Sequence, residues 1–255
     1  MTTQLTTFNQ FANEEVPSNC MYPEEYKGFK PIKDQINIIT KSFNFDPNYA
    51  LELADGLPPL ESFVPADVLP WIGWSAIPKW DRLALTYGEA VKKVLAMIAS
   101  KREFDTYRKH EFPSDFLRQC ERTIHAFDQI VETQKGDILI FPAQFGFLHR
   151  GRSARRAREG FATNEFGLGA FAVGIMLMTH PERLAQDRDR DLNVVDCIGD
   201  EVFFDRYGWQ DVPFFCSKEE DSDKIFFGMT CFVDVHPSIC SASAFLPAVQ
   251  GGLVS

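Results

Sequence analysis

The chain reads as an α+β protein, on three observations. Apolar residues recur at helical spacing in two stretches between residues 83 and 131. From residue 192 onward, short β-prone runs alternate with turn residues. Between them lie one alternating strand and one helix that is apolar on nearly every face. With 255 residues, 45% of them apolar and 24 of them Phe, the chain has ample material for a core.

Residues 1–80 are rich in Pro, Asn and aromatic side chains, with weak periodicity. One short helix is expected at 47–54, with Asp46 as N-cap and Pro47 in its first position; Gly56-Leu-Pro-Pro breaks it. The run 69–80 carries Trp71, Trp74 and Trp80. It is too apolar for a solvated linker, so the indoles are expected on the body of the protein, with an aromatic carbohydrate platform as the alternative. Leu83, Tyr87, Val91, Val94, Leu95 and Ile98 then mark one amphipathic helix. Phe116, Leu117, Cys120, Ile124, Phe127 and Val131 mark a second, started by Pro113-Ser114-Asp115 and ended by Gly136 at the left-handed C-cap position.

The second half opens with a strand at 137–148, where Pro142 suggests an edge or a bulge. Ser153 is a natural N-cap for a helix at 154–161, and Asn164 for one at 165–179. The latter is apolar all round and is expected between layers, its glycines 167, 169 and 174 marking close backbone approach. The run 186–191 is a solvated turn. Short strands are expected at 192–198, 201–204, 212–216, 225–235 and 242–246, separated by turns at 199–200, 206–208, 217–223 and 236–238. This divides the chain into a mostly helical, irregular region, 1–134, and a second domain, 135–255.

Composition narrows the function classes. A net charge of −10 argues against general affinity for nucleic acid or anionic lipid. The N-terminus has neither the basic nor the apolar region of a signal peptide, and the longest apolar stretch, 166–178, is too short to span a bilayer. The six cysteines are scattered without a CxxC pair, which suits reduced, mostly buried thiols in a cytoplasmic protein.

Three constellations carry chemistry. The segment His149-Arg150-Gly-Arg152-Ser-Ala-Arg155-Arg156-Ala-Arg158 suits phosphate binding, against the plainer reading of a helix face paired with acidic residues such as Glu159 and Glu165. Asp196, Cys197, Asp200, Glu201 and His236 are metal-ligand types without an established ligand spacing, so an ordinary turn is expected. Cys231 and Cys240, with His236 between them, are the candidates for nucleophilic catalysis.

A resemblance rests on longer stretches. Phe141-Pro-Ala-Gln-Phe-Gly, His149 through Glu159, Asn164 through Leu184, Asp196-Cys-Ile-Gly-Asp-Glu and Ser241-Ala-Ser-Ala-Phe-Leu-Pro resemble a family of proteins from candidate-phylum bacteria, over residues 136–247. No activity comes with that resemblance. The order strand, helix, helix, short strands is also similar to the C-type lectin-like fold, which includes the variable proteins of diversity-generating retroelements and formylglycine-generating enzymes. That resemblance implies a C-type lectin-like domain at 135–255 and a ligand surface between Asp200 and Ser243. The chain lacks the closing Gly-Phe-Arg and the Trp-Asn-Asp calcium motif, so calcium-dependent sugar binding is not implied.

The resulting expectation is a recognition protein for a protein or small-molecule ligand, possessing no assigned cofactor, metal ligand or catalytic residue. Alternation along 225–235 puts Ile225, Phe227, Met229, Cys231, Val233 and Val235 toward the core. It leaves Phe226, Thr230, Phe232 and Asp234 bordering an exposed surface, with Ser238, Ser241 and Ser243 beside them. The alternatives are a cysteine-dependent enzyme related to formylglycine-generating enzymes and a nucleic-acid-associated protein using Arg150–Arg158.

Overall fold

The computed structural model describes residues 9–107, 114–184, 194–204, 208–218 and 221–247. They form an α+β fold with two sheets. In chain order the first half holds α1 (Ile32–Phe43), α2 (Asn48–Asp55), β1 (Ile72–Pro78), α3 (Tyr87–Ala99), β2 (Phe104–Thr106), β3 (Leu117–Gln119) and α4 (Glu121–Thr133). The second half holds β4 (Ile138–Gln144), α5 (Ala154–Glu159), β5 (Glu165–Gly167), α6 (Ala170–Thr179), β6 (Val194–Asp196), β7 (Asp200–Phe204), β8 (Gly208–Lys218), β9 (Asp221–Cys231), β10 (Ile239–Ser241) and β11 (Ser243–Phe245). The expected turn at 186–191 lies outside the described residues, as do 206–207 and 219–220 of two others.

The first sheet runs β1-β4-β11-β5, all antiparallel. The second is organised on β8. One edge of β8 pairs with β9, to which β2 adds in parallel. The other edge takes β6 and β7 in succession, with β10 outside β6 and β3 outside β7. Helix α6 lies between the sheets, buried along its whole length. Gly174 permits this closeness: a Cβ there would sit 2.6 Å from Val94 of α3, with Phe215 of β8 at 3.5 Å.

The division at residue 134 does not separate two packed bodies. The pairs β1–β4, β2–β9 and β3–β7 cross it, and one core runs from Cys20 through Ala244. The first region also holds more regular structure than its composition suggests. Helix α1 buries Ile36 and Ile39 and ends in the left-handed Asn44. Its buried Gln35 donates to the carbonyls of Lys30 and Trp74 and accepts from the Ala76 N–H, standing in for a strand at the free edge of β1. The apolar run at 69–80 therefore becomes a strand, with Trp74 packed edge-on to Phe63 at 5.2 Å.

Several expected boundaries move, each for a physical reason. The helix expected at 165–179 begins at Ala170, because Glu165–Gly167 pair with β11. A Cβ on Gly167 would fall 2.8 Å from the backbone of Ile198 and Gly199, so this strand needs its glycine. The second N-terminal helix begins at Glu121 rather than near 116, since Leu117–Gln119 pair with β7. Pro142 is interior rather than at an edge: β11 pairs only with Ala143 and Gln144, so its missing N–H lies just past the end of β11. In β9 the expected register holds at Ile225 and Phe227, which are buried, with Phe226 half-buried. The strand ends at Cys231, not 235, and β10 forms directly after the 236–238 turn. No helix among the described residues is long and apolar enough to cross a membrane.

Candidate functional site

The apolar stripe that the sequence marks on the second N-terminal helix is not the stripe that α4 buries. Its buried face is Thr123, Ala126 and Ile130. Thr123 anchors it by donating from Oγ1 to the Gly167 carbonyl at 3.0 Å. The neighbouring stripe, Ile124, Phe127 and Val131, is one wall of a cavity of about 620 Å³. Ile124 and Val131 are 44% and 39% exposed, which a core-facing stripe would not leave.

The opposite wall comes from the end of β1 (Ile77, Pro78), the turn Lys79–Arg82, Tyr87 at the start of α3, and Leu117–Gln119 of β3. Leu139 of β4 and Phe171 and Ala172 of α6 complete the floor. Trp80 packs edge-on against Tyr87, ring centres 5.9 Å apart, and Tyr87 lies 6.4 Å from Phe171. Thr86 and Glu89 form a reciprocal cap that sets where α3 begins and thus where Tyr87 points.

Behind the floor, Tyr87 donates its hydroxyl to both oxygens of Asp200 at 2.9 Å. Asp200 also accepts from the Ala170 N–H at 2.7 Å, so it caps α6 by a side chain remote in sequence. Burial pushes the Asp200 carboxyl up to about 7, opposed by the Ala170 and Tyr87 hydrogen bonds. Asp200 is fully buried and does not face the groove. It holds Tyr87 in place.

Charged groups stand around the mouth. Arg82 pairs with Asp137 at 3.0 Å, and Arg118 pairs with Glu201 at 2.7 Å while stacking over Trp209 at 4.1 Å. Lys79 donates to the Gln134 carbonyl at 3.2 Å, at the C-terminus of α4. Asp81 and Asp128 are exposed at the rim. On the other side of α4 a hollow of about 520 Å³ is lined by Arg122, His125, Gln129 and Glu165. Its polar groups are more fully used. Arg122 donates to the carbonyls of Ala162 and Thr163, and Glu165 accepts from His149 at 2.7 Å, from Ser243 and from the Ala162 N–H. Burial would raise the Glu165 carboxyl, but the His149 contact and these bonds hold it below its ordinary value.

Of the residues singled out from the sequence for an exposed C-terminal surface, Asp234 is exposed, Phe226, Thr230, Phe232 and Ser238 are half-buried, and Ser241 and Ser243 are not at the surface. Ser241 and Ser243 are fully buried, a correction that follows from packing: β11 lies between β4 and β5, and Ser241 ends β10 where the Gln144 amide donates to its carbonyl. Phe232 is half-buried against Ala154 and Ala157, with the Arg155 guanidinium 5.3 Å from its ring. Thr230 and Asp234 bond to each other at 2.7 Å, closing the turn after β9. Ser238 bonds to the His236 ring at 2.7 Å. Phe226 is half-buried and lies 5.9 Å from Phe214 across β8 and β9.

The cysteine candidates differ in burial, Cys231 half-buried and Cys240 fully buried. Cys240 is buried, donates to the Val194 carbonyl at 2.7 Å and lies 3.1 Å from Arg183 Nη2. Burial pushes its thiol up to about 12, so it carries its proton at neutral pH. All six cysteines are free. Asp196 is buried on β6, Asp200 caps α6, Glu201 pairs with Arg118, and His236 is exposed. Among the described residues no group of three or more His, Cys, Asp or Glu is placed to hold a metal ion.

The arginine cluster is consumed internally. Arg155 binds Glu14 through Nε at 2.6 Å, Arg152 and Arg156 each reach Glu15 at 3.0 Å, and Arg156 also reaches Glu159 at 2.9 Å. Arg158 donates to the carbonyls of Ile198 and Asp200. Ser153 donates to Glu14 at 2.7 Å, and the backbones of Val16 and Gly151 join at 2.8 Å. The cluster thus straps residues 9–18 onto α5. Glu165, the other acidic partner expected for the segment, meets it at His149, 2.7 Å away. Comparisons with models of protein families, with curated proteins and with solved structures returned no match.

Proposed function

We propose that the protein is a ligand-recognition protein whose binding surface is the groove beside α4, and that its occupant is a small molecule with a largely apolar body. The observation that carries this reading is the exposed pair Ile124 and Val131, which with the half-buried Phe127 faces a cavity of about 620 Å³. A ligand site of this kind is concave, mostly apolar and equipped with a few oriented polar groups. Tyr87, held by Asp200, and Trp80 supply rigid aromatic surface, which costs little entropy on binding. A cytoplasmic setting belongs to the same proposal, supported by the six free cysteines.

The test is a titration with 8-anilinonaphthalene-1-sulfonate followed by its fluorescence. One saturable site is expected. Val131→Trp fills the groove from its exposed rim, so the fold is spared, and it should weaken binding at least tenfold, as should Ile124→Lys. Unchanged binding in both variants would remove the groove from consideration.

A second reading places recognition on the β8–β9 surface, as a C-type lectin-like, retroelement-diversified variable protein would have it. The Phe214–Phe226 pair, half-buried over Gly228, favours it. Sequencing close relatives tests it: variation concentrated at the outward positions of β8 and β9 is the expected result, and invariance there contradicts it.

A further inference from the structure

We infer that the groove's ligand is an amphipathic organic anion, with its acidic head at Lys79 and its apolar body along Leu117, Phe127 and Phe171. This rests on the groove being the binding site. It follows from which charges around the groove are already matched.

Three cations line the cavity: Lys79, Arg82 and Arg118. The two guanidinium groups are neutralised by Asp137 and Glu201. Lys79 forms no ion pair among the described residues, and its ammonium gives one hydrogen bond, to the Gln134 carbonyl. An ammonium carries three donors, so two remain for a ligand. The carboxylates that also line the cavity, Asp81 and Asp128, are exposed at its mouth, where water and salt screen them. Lys79 is half-buried beside apolar walls, where a charge acts through a lower effective dielectric.

A second polar group of the lining, the Tyr87 hydroxyl, is already occupied. The Tyr87 hydroxyl gives its proton to Asp200 and is not available to a ligand acceptor. An apolar head at Lys79 would leave the ammonium's donors to water that the ligand displaces, and a cationic head would add like charge. A carboxylate or sulfonate satisfies both donors and the charge together. The cavity's volume suits one drug-sized molecule, and Leu117, Phe127, Leu139 and Phe171 give its lining an apolar surface.

The experiment compares three ligands with one apolar body by isothermal titration calorimetry on the full chain: 2-naphthoate, 2-naphthol and 2-naphthylmethylammonium. Naphthoate should bind about tenfold more tightly than naphthol, the scale of one charge-assisted hydrogen bond, and the ammonium compound more weakly than either. Lys79→Gln keeps an amide donor for the Gln134 carbonyl; it should erase the preference for naphthoate over naphthol. Lys79→Arg should retain the preference. Equal binding of all three ligands, tightest binding of the ammonium compound, or an intact preference in Lys79→Gln would overturn the anion while leaving the groove in place. No binding by any of the three would overturn the groove and the anion together.

Discussion

The strap over α5 and the groove beside α4 treat their most conspicuous residues in opposite ways. Around α5, Arg152, Arg155 and Arg156 each meet a carboxylate, and Arg158 meets two carbonyls. Glu14 is itself buried, and its carboxyl is held below its ordinary value by Arg155. Beside α4, two apolar side chains stay exposed and one ammonium lacks a counter-charge among the described residues. The densest arginine cluster in the sequence is therefore structural, while a stripe that looks like core is surface. Function is better sought where interactions are left unmet than where residue types are most eye-catching.

The same distinction separates two buried acids, and this sets the largest expected effect. Asp200 accepts from the Tyr87 hydroxyl and the Ala170 N–H, whereas both oxygens of Asp196 are buried without a partner among the described residues. Burial, with Asp234 adding to it, pushes Asp196 up to about 8 from an ordinary value near 3.8. An acid raised on folding stabilises the fold fully only below its unfolded value. That contribution is lost as pH climbs from about 4 to about 8, by several kcal/mol in order of magnitude. Asp196→Asn should flatten this loss, so that at pH 8 its urea midpoint exceeds the wild type's. A midpoint for the wild type that does not fall between pH 5 and pH 8 would show that Asp196 is matched after all.

Within α4 the comparison becomes a pair of substitutions. Ile130→Ala should cost about 2–5 kcal/mol by opening a cavity in the core, and Ile175→Ala on α6 a similar amount. Ile124→Ala and Val131→Ala should each cost less than about 1 kcal/mol, as exposed positions do. Equal costs at 124 and 130 in chemical denaturation would mean that the groove wall is core.

The strap should respond to the loss of its buried carboxylate. Glu14→Gln leaves Arg155 without its charge partner and is expected to destabilise by about 1–3 kcal/mol, with residues 9–18 becoming cleavable in limited proteolysis. Protection equal to the wild type's would show that the strap is held by other contacts. The smallest effect concerns nucleic acid. Because the guanidinium groups are matched, neutralising Arg152, Arg155 and Arg156 should leave any DNA or RNA binding at physiological salt unchanged and weak. A sub-micromolar complex abolished by those changes would reverse the assignment of the two regions.

Much of the architecture is legible locally. Helix α6 announces itself by an apolar run closed by Pro181, and α5 by Ser153, whose hydroxyl accepts from the Arg156 N–H at 3.2 Å. Alternation in β9 predicts Ile225 and Phe227 inward. The short strands β3 and β5 are not legible, because Leu117–Gln119 and Glu165–Gly167 become strands only through partners far along the chain. Helix α1 was readable: Ile32, Ile36, Ile39 and Phe43 keep helical spacing, but surrounding Pro and Asn residues obscure it. The groove had one signal. A second stripe on α4, Ile124, Phe127 and Val131, beside Ala126 and Ile130, carries more apolar surface than one core contact requires. Which stripe is buried depends on the approach of Gly167, a tertiary fact. Lys79 and Tyr87 carry no local sign of their roles, since the partners that define them lie elsewhere in the fold.

The measurement that weighs these regions most directly is an amide chemical-shift map of the ¹⁵N-labelled protein on addition of 8-anilinonaphthalene-1-sulfonate. The saturable shifts are expected to gather at Lys79, Trp80, Tyr87, Leu117, Ile124, Phe127 and Val131. Shifts gathered instead along residues 150–158 and 9–18, or on the β8–β9 face at Phe214 and Phe226, would contradict it.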